Sequence, residues 1–340
     1  MAESNQSGNR VSSASKTDHA ELGEGIEPQV AAIVAVHNRL ALTRRCFQTL
    51  TRAAIRTQLQ IVLVDDGSTD GTAEWVSREY PGATILRGNG QLWFGGCIEA
   101  GLDHVFQLTP RPSHVLILNN DSFMRPGALD EMVAASAGEY TVAAAYWDED
   151  IALTSSAGYR WHATKGLLNV CDHADWQADH VAGFRRFLPV EAVATTACLY
   201  PTLTLARAAR VNLNRHRQNR YDAVLSANLR AAGARFLVST HFLADHLYGP
   251  LAKRPPRLRS VSLREFFRLT LLDPLSVYHV PHTINALWVT APSRRVAIRL
   301  IADHTIHFVG QIGGKLLQAL LALVGIRFWL APAGPSADKA

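Results

Sequence analysis

Ile61-Val62-Leu63-Val64-Asp65-Asp66-Gly67-Ser68 and, further along, Val115-Leu116-Ile117-Leu118-Asn119-Asn120-Asp121 each run from unbroken aliphatic side chains straight into acids and amides. Aliphatic runs without polar alternation fit parallel strands covered on both faces, and ligands in such sheets bind beyond the carboxyl ends of the strands. Asp65, Asp66 and Asp121 are therefore expected along one sheet edge, at a site.

Outward from these two runs, strand and helix alternate. A strand over Val30 to Val36 precedes a helix over Leu40 to Ala54; Ile61 to Val64 precedes a helix over Thr72 to Glu79. Thr84 to Leu86, a helix from Gly95 to Gln107, Val115 to Leu118 and a helix from Ala128 to Ser136 continue the series. The pattern predicts a doubly wound α/β sheet. Asp70 is the expected N-cap of the second helix, and Pro126-Gly127 marks the turn into the helix after the acidic loop. Thr141 to Leu247 is more mixed, with a strand expected over Val190 to Cys198 and a helix over Asp222 to Ala232.

Of the 340 residues, 48% are hydrophobic and 19% charged, enough to bury a large core. Residues 1–28 are rich in Ser, Gly, Glu and Asn and nearly lack large apolar side chains, so a disordered tail is expected there. The start also lacks the basic and apolar parts of a secretion signal, which predicts a cytoplasmic protein. Cys46, Cys97, Cys171 and Cys198 are widely spaced and suggest buried thiols rather than a zinc site or a disulfide framework.

The formal charge of +5 is unevenly spread. Between Pro250 and Leu330 eleven Lys and Arg face three acids, a surplus of eight that leaves the rest slightly acidic. Pro250, Pro255 and Pro256 break the chain before helical spacing resumes at Val296, Ile298, Leu300, Ile301, Ile306 and Phe308. Residues 249–340 are thus expected to form a basic amphipathic helical region able to dock on an anionic membrane surface. Leu316 to Leu330 is shorter than the about 20 apolar residues that a span requires. No aromatic interleaving suits a nucleic-acid channel. His279, His282, His304 and His307 have no nearby acids and are expected on helix faces rather than around a metal.

Two groups of residues carry the candidate chemistry, each with a plainer reading. Asn119-Asn120-Asp121 can offer oxygens to a divalent cation bridging a nucleoside diphosphate, or can form an Asx turn. The loop Asp65-Asp66-Gly67-Ser68-Thr69-Asp70 can accept hydrogen bonds from a base or a ribose, though Asp70 serves equally as a cap. Trp93 and Phe94 fit either a sugar site or the core. Gly88-Asn89-Gly90 through Gly95-Gly96 does not follow the dinucleotide-binding spacing.

Ala31-Ala32-Ile33-Val34-Ala35-Val36-His37-Asn38-Arg39, the Asp65 to Asp70 loop, Arg87-Gly88-Asn89-Gly90 with Gly95-Gly96 and Ala100-Gly101, and Leu118-Asn119-Asn120-Asp121 occur in the order seen in family-2 glycosyltransferases of the GT-A fold. The resemblance runs from about Val30 to Thr240 and is strongest to the bacterial rhamnosyltransferase-like branch. It implies a GT-A domain over residues 29–248, with a mostly parallel central sheet flanked by helices and the helical extension behind it. It further implies that Asp65 and Asp66 contact the nucleoside, that Val36 and Asn38 lie near the base, and that Asn120-Asp121 is the D-x-D variant, with Asp121 the carboxylate for Mn²⁺ or Mg²⁺.

The resemblance further implies, through the frame Tyr221-Asp222-Ala223-Val224 to Arg230-Ala231-Ala232-Gly233, that Asp222 is the base of an inverting transfer. The plainer reading of Asp222 is a helix N-cap. The implied partners are a nucleotide diphosphate sugar and a glycan or lipid-linked glycan acceptor, met at the inner face of the plasma membrane. The chain departs from the family pattern at Tyr221, Val224, Glu99 and Ala194-Thr195-Thr196-Ala197-Cys198, all bearing on the acceptor pocket. The rival functions are a non-catalytic nucleotide- or glycan-binding relative and a nucleotidyltransferase. The latter would carry a glycine-rich basic loop where His37-Asn38-Arg39-Leu40 stands.

Overall fold

A computed structural model describes residues 29–148, 153–156, 158–162, 166–247, 258, 261–273, 276 and 278–323. The expected tail, the break at Pro250, Pro255 and Pro256, and the basic side chains of Lys253, Arg254, Arg257, Arg259 and Arg327 lie outside the described residues.

The first half alternates as its periodicity predicts. β1 (Gln29–Val36), α1 (Leu40–Ala53), β2 (Gln58–Asp65), α2 (Thr72–Glu79), β3 (Thr84–Arg87), α3 (Trp93–Val105) and β4 (His114–Asn119) follow in order. β5 (Ser122–Met124) and α4 (Ala128–Ser136) close this half. The second half contains β6 (Tyr140–Asp148), β7 (Leu153–Ser156), β8 (Gly158–His162), β9 (Gly166–Asn169), α5 (Ala174–Ala182), β10 (Phe187–Val190), β11 (Ala192–Val193) and β12 (Ala197–Pro201). Then come α6 (Thr202–Arg207), α7 (Leu213–His216), α8 (Tyr221–Ala231) and β13 (Arg235–His246). Among the described residues three α-helices follow, α9 (Leu263–Phe267), which runs on into a π-helical turn over Arg268–Leu272, α10 (Val280–Thr290) and α11 (Arg294–Leu323).

The main sheet runs β10-β13-β6-β12-β4-β1-β2-β3, with β5 beside β13 and β7 beside β6; β11, β8 and β9 form a small second sheet. β3, β2, β1 and β4 are parallel neighbours, β6 and β13 are parallel, and β12 runs antiparallel between the two groups. Val30 to Val34, Val62 to Val64 and Val115 to Leu118 are completely buried, which accounts for their unbroken aliphatic composition. On α1 and α2, Phe47, Trp75 and the following Tyr80 meet edge-on at centroid separations of 5.1–6.1 Å. All four cysteines are buried thiols.

Two local expectations are corrected. The strand expected over Val190 to Cys198 is three pieces. Glu191 turns out of line, its N–H donating to Tyr159 O, so Ala192 and Val193 join the small sheet and only Ala197 onward enters the main one. Gly71, in the left-handed region at φ 82°, takes the N-cap position of α2 in place of Asp70. The Asp70 carboxylate instead accepts from Thr72 N–H and from Leu40 N–H, tying the starts of α2 and α1 together. The apolar residues read at helical spacing in the C-terminal region divide between two faces of α11. Leu300 is buried and Phe308 packs on Phe266, while Ile298 and Ile306 point outward.

Asp130 in α4 pins the loop that follows α1. Its carboxylate accepts from the N–H groups of Ile55, Arg56 and Thr57 at 3.0–3.2 Å and from Thr57 Oγ1 at 2.7 Å. Burial raises its pKa, but the Thr57 hydroxyl and the three amides outweigh this and hold it below the usual carboxylate value. A depressed carboxylate pKa contributes stability in full above the unfolded value and loses it as pH falls through the folded one. Asp130→Asn, which turns an NH₂ toward these donors, is expected to cost about 1–3 kcal/mol in urea unfolding at pH 7. That difference should shrink below about pH 4; a gap constant down to acid would contradict the ionised clamp.

Candidate active site

Two consecutive non-glycine residues after β1 adopt left-handed backbone, Asn38 at φ 61° and Arg39 at φ 64°. The loop after β2 holds them there. Asn38 N–H donates to Ser68 Oγ at 2.7 Å, and Asn38 Oδ1 accepts from Thr69 N–H at 2.9 Å. Asp65 Oδ1 accepts from Ser68 N–H at 2.9 Å, so this carboxylate shapes its own loop. His37 Nδ1 lies 2.6 Å from Asp66 O and joins the two strand ends.

Asp66 organises the next layer. Its Oδ1 accepts from Gly90 N–H at 2.8 Å and its Oδ2 from Trp93 N–H at 2.9 Å, fixing the segment between β3 and α3. A Cβ at Gly88 would stand 2.6 Å from Asp66 Oδ1, so the glycine there is a requirement of close approach. Trp93 has φ 57°, a strained backbone for a bulky residue, and its ring is half-exposed on the cleft wall. Phe94 packs edge-on against Tyr221 at 5.8 Å.

The β4 end supplies the acid. Asn120 is buried and its Nδ2 donates to Thr43 Oγ1 at 3.1 Å. Asp121 Oδ2 accepts from Arg39 NH1 at 3.1 Å, while Oδ1, a buried atom, lies 3.3 Å from His246 Nε2 at the end of β13. Among the described residues no three His, Cys, Asp or Glu side chains form a closed metal cage. The Asp121 carboxylate in the cleft lining, with the His246 imidazole beside it, would nonetheless suit a divalent ion that took its other ligands from a phosphate-bearing ligand and water. The Arg39 guanidinium, paired with Asp121, adds planar donors of the kind that suit phosphate oxygens.

Asp222 enters from the other side. Arg220, at φ 63°, holds the N-cap position of α8 with no side-chain cap bond, so Asp222 is the second residue of the helix, within its first turn, and is not the N-cap. Its Oδ1 accepts from the adjacent Ala223 N–H at 2.8 Å. Burial drives its pKa up, against the lowering effects of that bond and of the nearby Arg220 charge. Two departures from the family pattern prove to be partners: Tyr221 OH donates to Glu99 Oε1 at 2.8 Å, and Arg210 NH1 meets Glu99 Oε2 at 3.0 Å. Val224 is buried in the core. From behind, α10 braces this segment through Thr283 Oγ1, which accepts from Arg220 NH2 at 2.8 Å, and Asn285 Oδ1, 2.9 Å from His216 Nε2.

One cleft of about 740 Å³ gathers Val36, Asp66, Asn120, Asp121 and Asp222; Asn38 and Asp65 stand outside its lining, in the supporting loops. Sequence reasoning missed Arg39 and Arg220 in the lining, and His246 beside Asp121, while Thr195 and Thr196, read as a departure bearing on the acceptor pocket, do line the cleft. The Arg235 to His246 run also ends in polar residues, Asp245-His246, a signal of the same kind as the two acid-ended strands.

Gly95 permits the cleft to close around Tyr221. Its N–H donates to Arg217 O at 2.7 Å, and a Cβ would lie 2.8 Å from both that oxygen and the Tyr221 ring. Gly95→Ala is expected to lose about 1–3 kcal/mol in thermal unfolding from this overpacking. An unchanged Tm would contradict the contact.

Residues 31–181 match the family model described as Glycosyl transferase family 2, a span that includes Asp66, Asn120 and Asp121 and stops before Asp222. No curated protein matches the chain. The mixed α/β architecture, with its mostly parallel central sheet flanked by helices and its C-terminal helical region, is consistent with a GT-A fold. Together the match and the fold support a family-2 glycosyltransferase.

Proposed function

We propose that the protein is an inverting glycosyltransferase that moves a sugar from a nucleotide diphosphate donor to a hydroxyl of a glycan. The observation that carries this reading is that one cleft is lined by two acids from different elements, Asp121 just after a parallel strand and Asp222 at the start of α8. Residues 29–248 form the transferase unit in this reading, and the helices after it brace the Asp222 segment. Rhamnose is the first donor sugar to test, on the resemblance alone. A lipid-linked glycan at the inner face of the plasma membrane is the acceptor class that the basic C-terminal helices favour.

Asp222 removes the proton from the acceptor hydroxyl as that oxygen forms its bond to the anomeric carbon. The bond from that carbon to the phosphate oxygen breaks on the opposite face, its electron pair leaving with the nucleoside diphosphate, so the configuration inverts. Asp121 and His246 would hold Mn²⁺ or Mg²⁺, which when bound neutralises charge on the departing diphosphate. Arg39 binds and orients that diphosphate. Asp66 fixes the loop that presents Trp93 to the cleft.

Asp222→Asn is expected to lower kcat by about 10²–10⁴-fold. The acid limb of the wild-type pH profile should lie above the ordinary carboxylate range, because only ionised Asp222 accepts the proton and burial raises its pKa. The stability sign is opposite to that of Asp130. A raised carboxylate pKa means that stability is full below the unfolded value and is lost as pH rises through the folded one. The neutral amide should therefore not lower Tm at pH 7. Turnover surviving the substitution would return Asp222 to a structural role.

A further inference from the structure

We propose that the outward face of α11 docks on an anionic lipid surface, with the helix lying flat in the interface. The inference extends the reading of a lipid-linked acceptor, and its test reads membrane binding without turnover. Among the described residues, ten of the fifteen exposed large hydrophobic side chains lie beyond residue 270, six of them on α11. An ordinary packed helix is apolar on one side only. α11 is apolar on two.

Its inward side is accounted for. Ala297 and Leu300 are buried, Phe308 stacks on Phe266 at 5.9 Å, and Lys315 Nζ reaches Val261 O. The outward side presents Ile298, Ile306, Val309, Leu316, Leu317 and Leu320, all 45–71% exposed. Exposed Ala302, Thr305 and Gly313 complete the line. From Ile298 the steps of four, three and four residues to Val309 repeat from Val309 to Leu320. That period of about 3.67 residues per turn is close to the helix's own 3.6, so the stripe runs nearly parallel to the axis for about 33 Å. A straight stripe of that length suits a plane.

Charge decides the occupant. Arg294, Arg295 and Arg299 are exposed at the N-terminal end of the helix, with Arg294 over the Trp288 ring at 5.8 Å and Trp288 itself 47% exposed. On α11 itself these three arginines and Lys315 face one acid, Asp303, a positive balance that a second copy would repel and an anionic bilayer would attract. Among the described residues no helix is long and apolar enough to cross a membrane, so burial to one side is the geometry left to α11.

The test is sedimentation of the full chain with phosphatidylglycerol/phosphatidylcholine vesicles and with phosphatidylcholine alone, at low and high salt. Wild type should pellet with the anionic vesicles at low salt. Ile306→Glu combined with Leu317→Glu should reduce the bound fraction at least tenfold while circular dichroism and Tm stay unchanged, because both positions are exposed. Arg294→Gln, Arg295→Gln and Arg299→Gln together should weaken binding severalfold and flatten its salt dependence. Wild type remaining in the supernatant at low salt would overturn the proposal. So would the Glu pair binding as wild type does, or a dimer seen by light scattering that the Glu pair dissolves, which would assign the stripe to a second copy.

Discussion

The register of β1 between β2 and β4 is the constraint on which the rest of the structure depends. Val36 pairs with Asp65 on one side, and Ala35 pairs with Asn119 on the other. Three chain exits, at His37, Asp66 and Asn120, therefore leave the sheet at one level. All three strands are buried on both faces, so a slip of one residue would misplace every side chain along the run. The cleft exists because these aliphatic runs can pair in one way and end in polar residues together.

Holding the exits in place takes most of the carboxylates there. Asp65 turns its own loop, Asp70 joins two helix starts, and Asp66 spends both oxygens on the Gly90 and Trp93 amides. Of the five described non-glycine residues with positive φ, Asn38, Arg39, Trp93 and Arg220 border the cleft or its supporting loops. Strained backbone of this kind persists where the surroundings over-determine it; the Asp66 carboxylate does so for Trp93, and the Ser68 hydroxyl and Thr69 amide do so for Asn38. Asp121 and Asp222 differ from the other acids. Each faces the cleft with less of its carboxylate committed to backbone.

The strands and helices up to Ser136 were legible because the information is local: aliphatic runs, glycine turns and helical spacing. Asp66, Asn120 and Asp121 were legible for the same reason, each sitting at the end of a readable strand, whereas Asp222 came only from the resemblance, its local pattern reading as a helix cap; all four line the cleft. The Tyr221 to Glu99 bond joins residues 122 positions apart, and each looked only like a departure from pattern until the fold set them side by side. His246 was missed because its neighbour Asp121 is brought to it by the pairing of β13 with β5, a contact that no spacing encodes. The two-faced character of α11 was hidden because periodicity reports that a helix has apolar faces but not which of them the rest of the chain covers.

The most direct test of the claim that acid-ended strands build a nucleotide site is calorimetric titration of dTDP, UDP and GDP, with and without Mn²⁺. Wild type and Asp121→Ala should be compared. One nucleotide should bind wild type only when Mn²⁺ is present, and Asp121→Ala should lose that binding. Failure of all three to bind, or metal-dependent binding that survives in Asp121→Ala, would contradict it and leave the Asn119 to Asp121 loop as a turn.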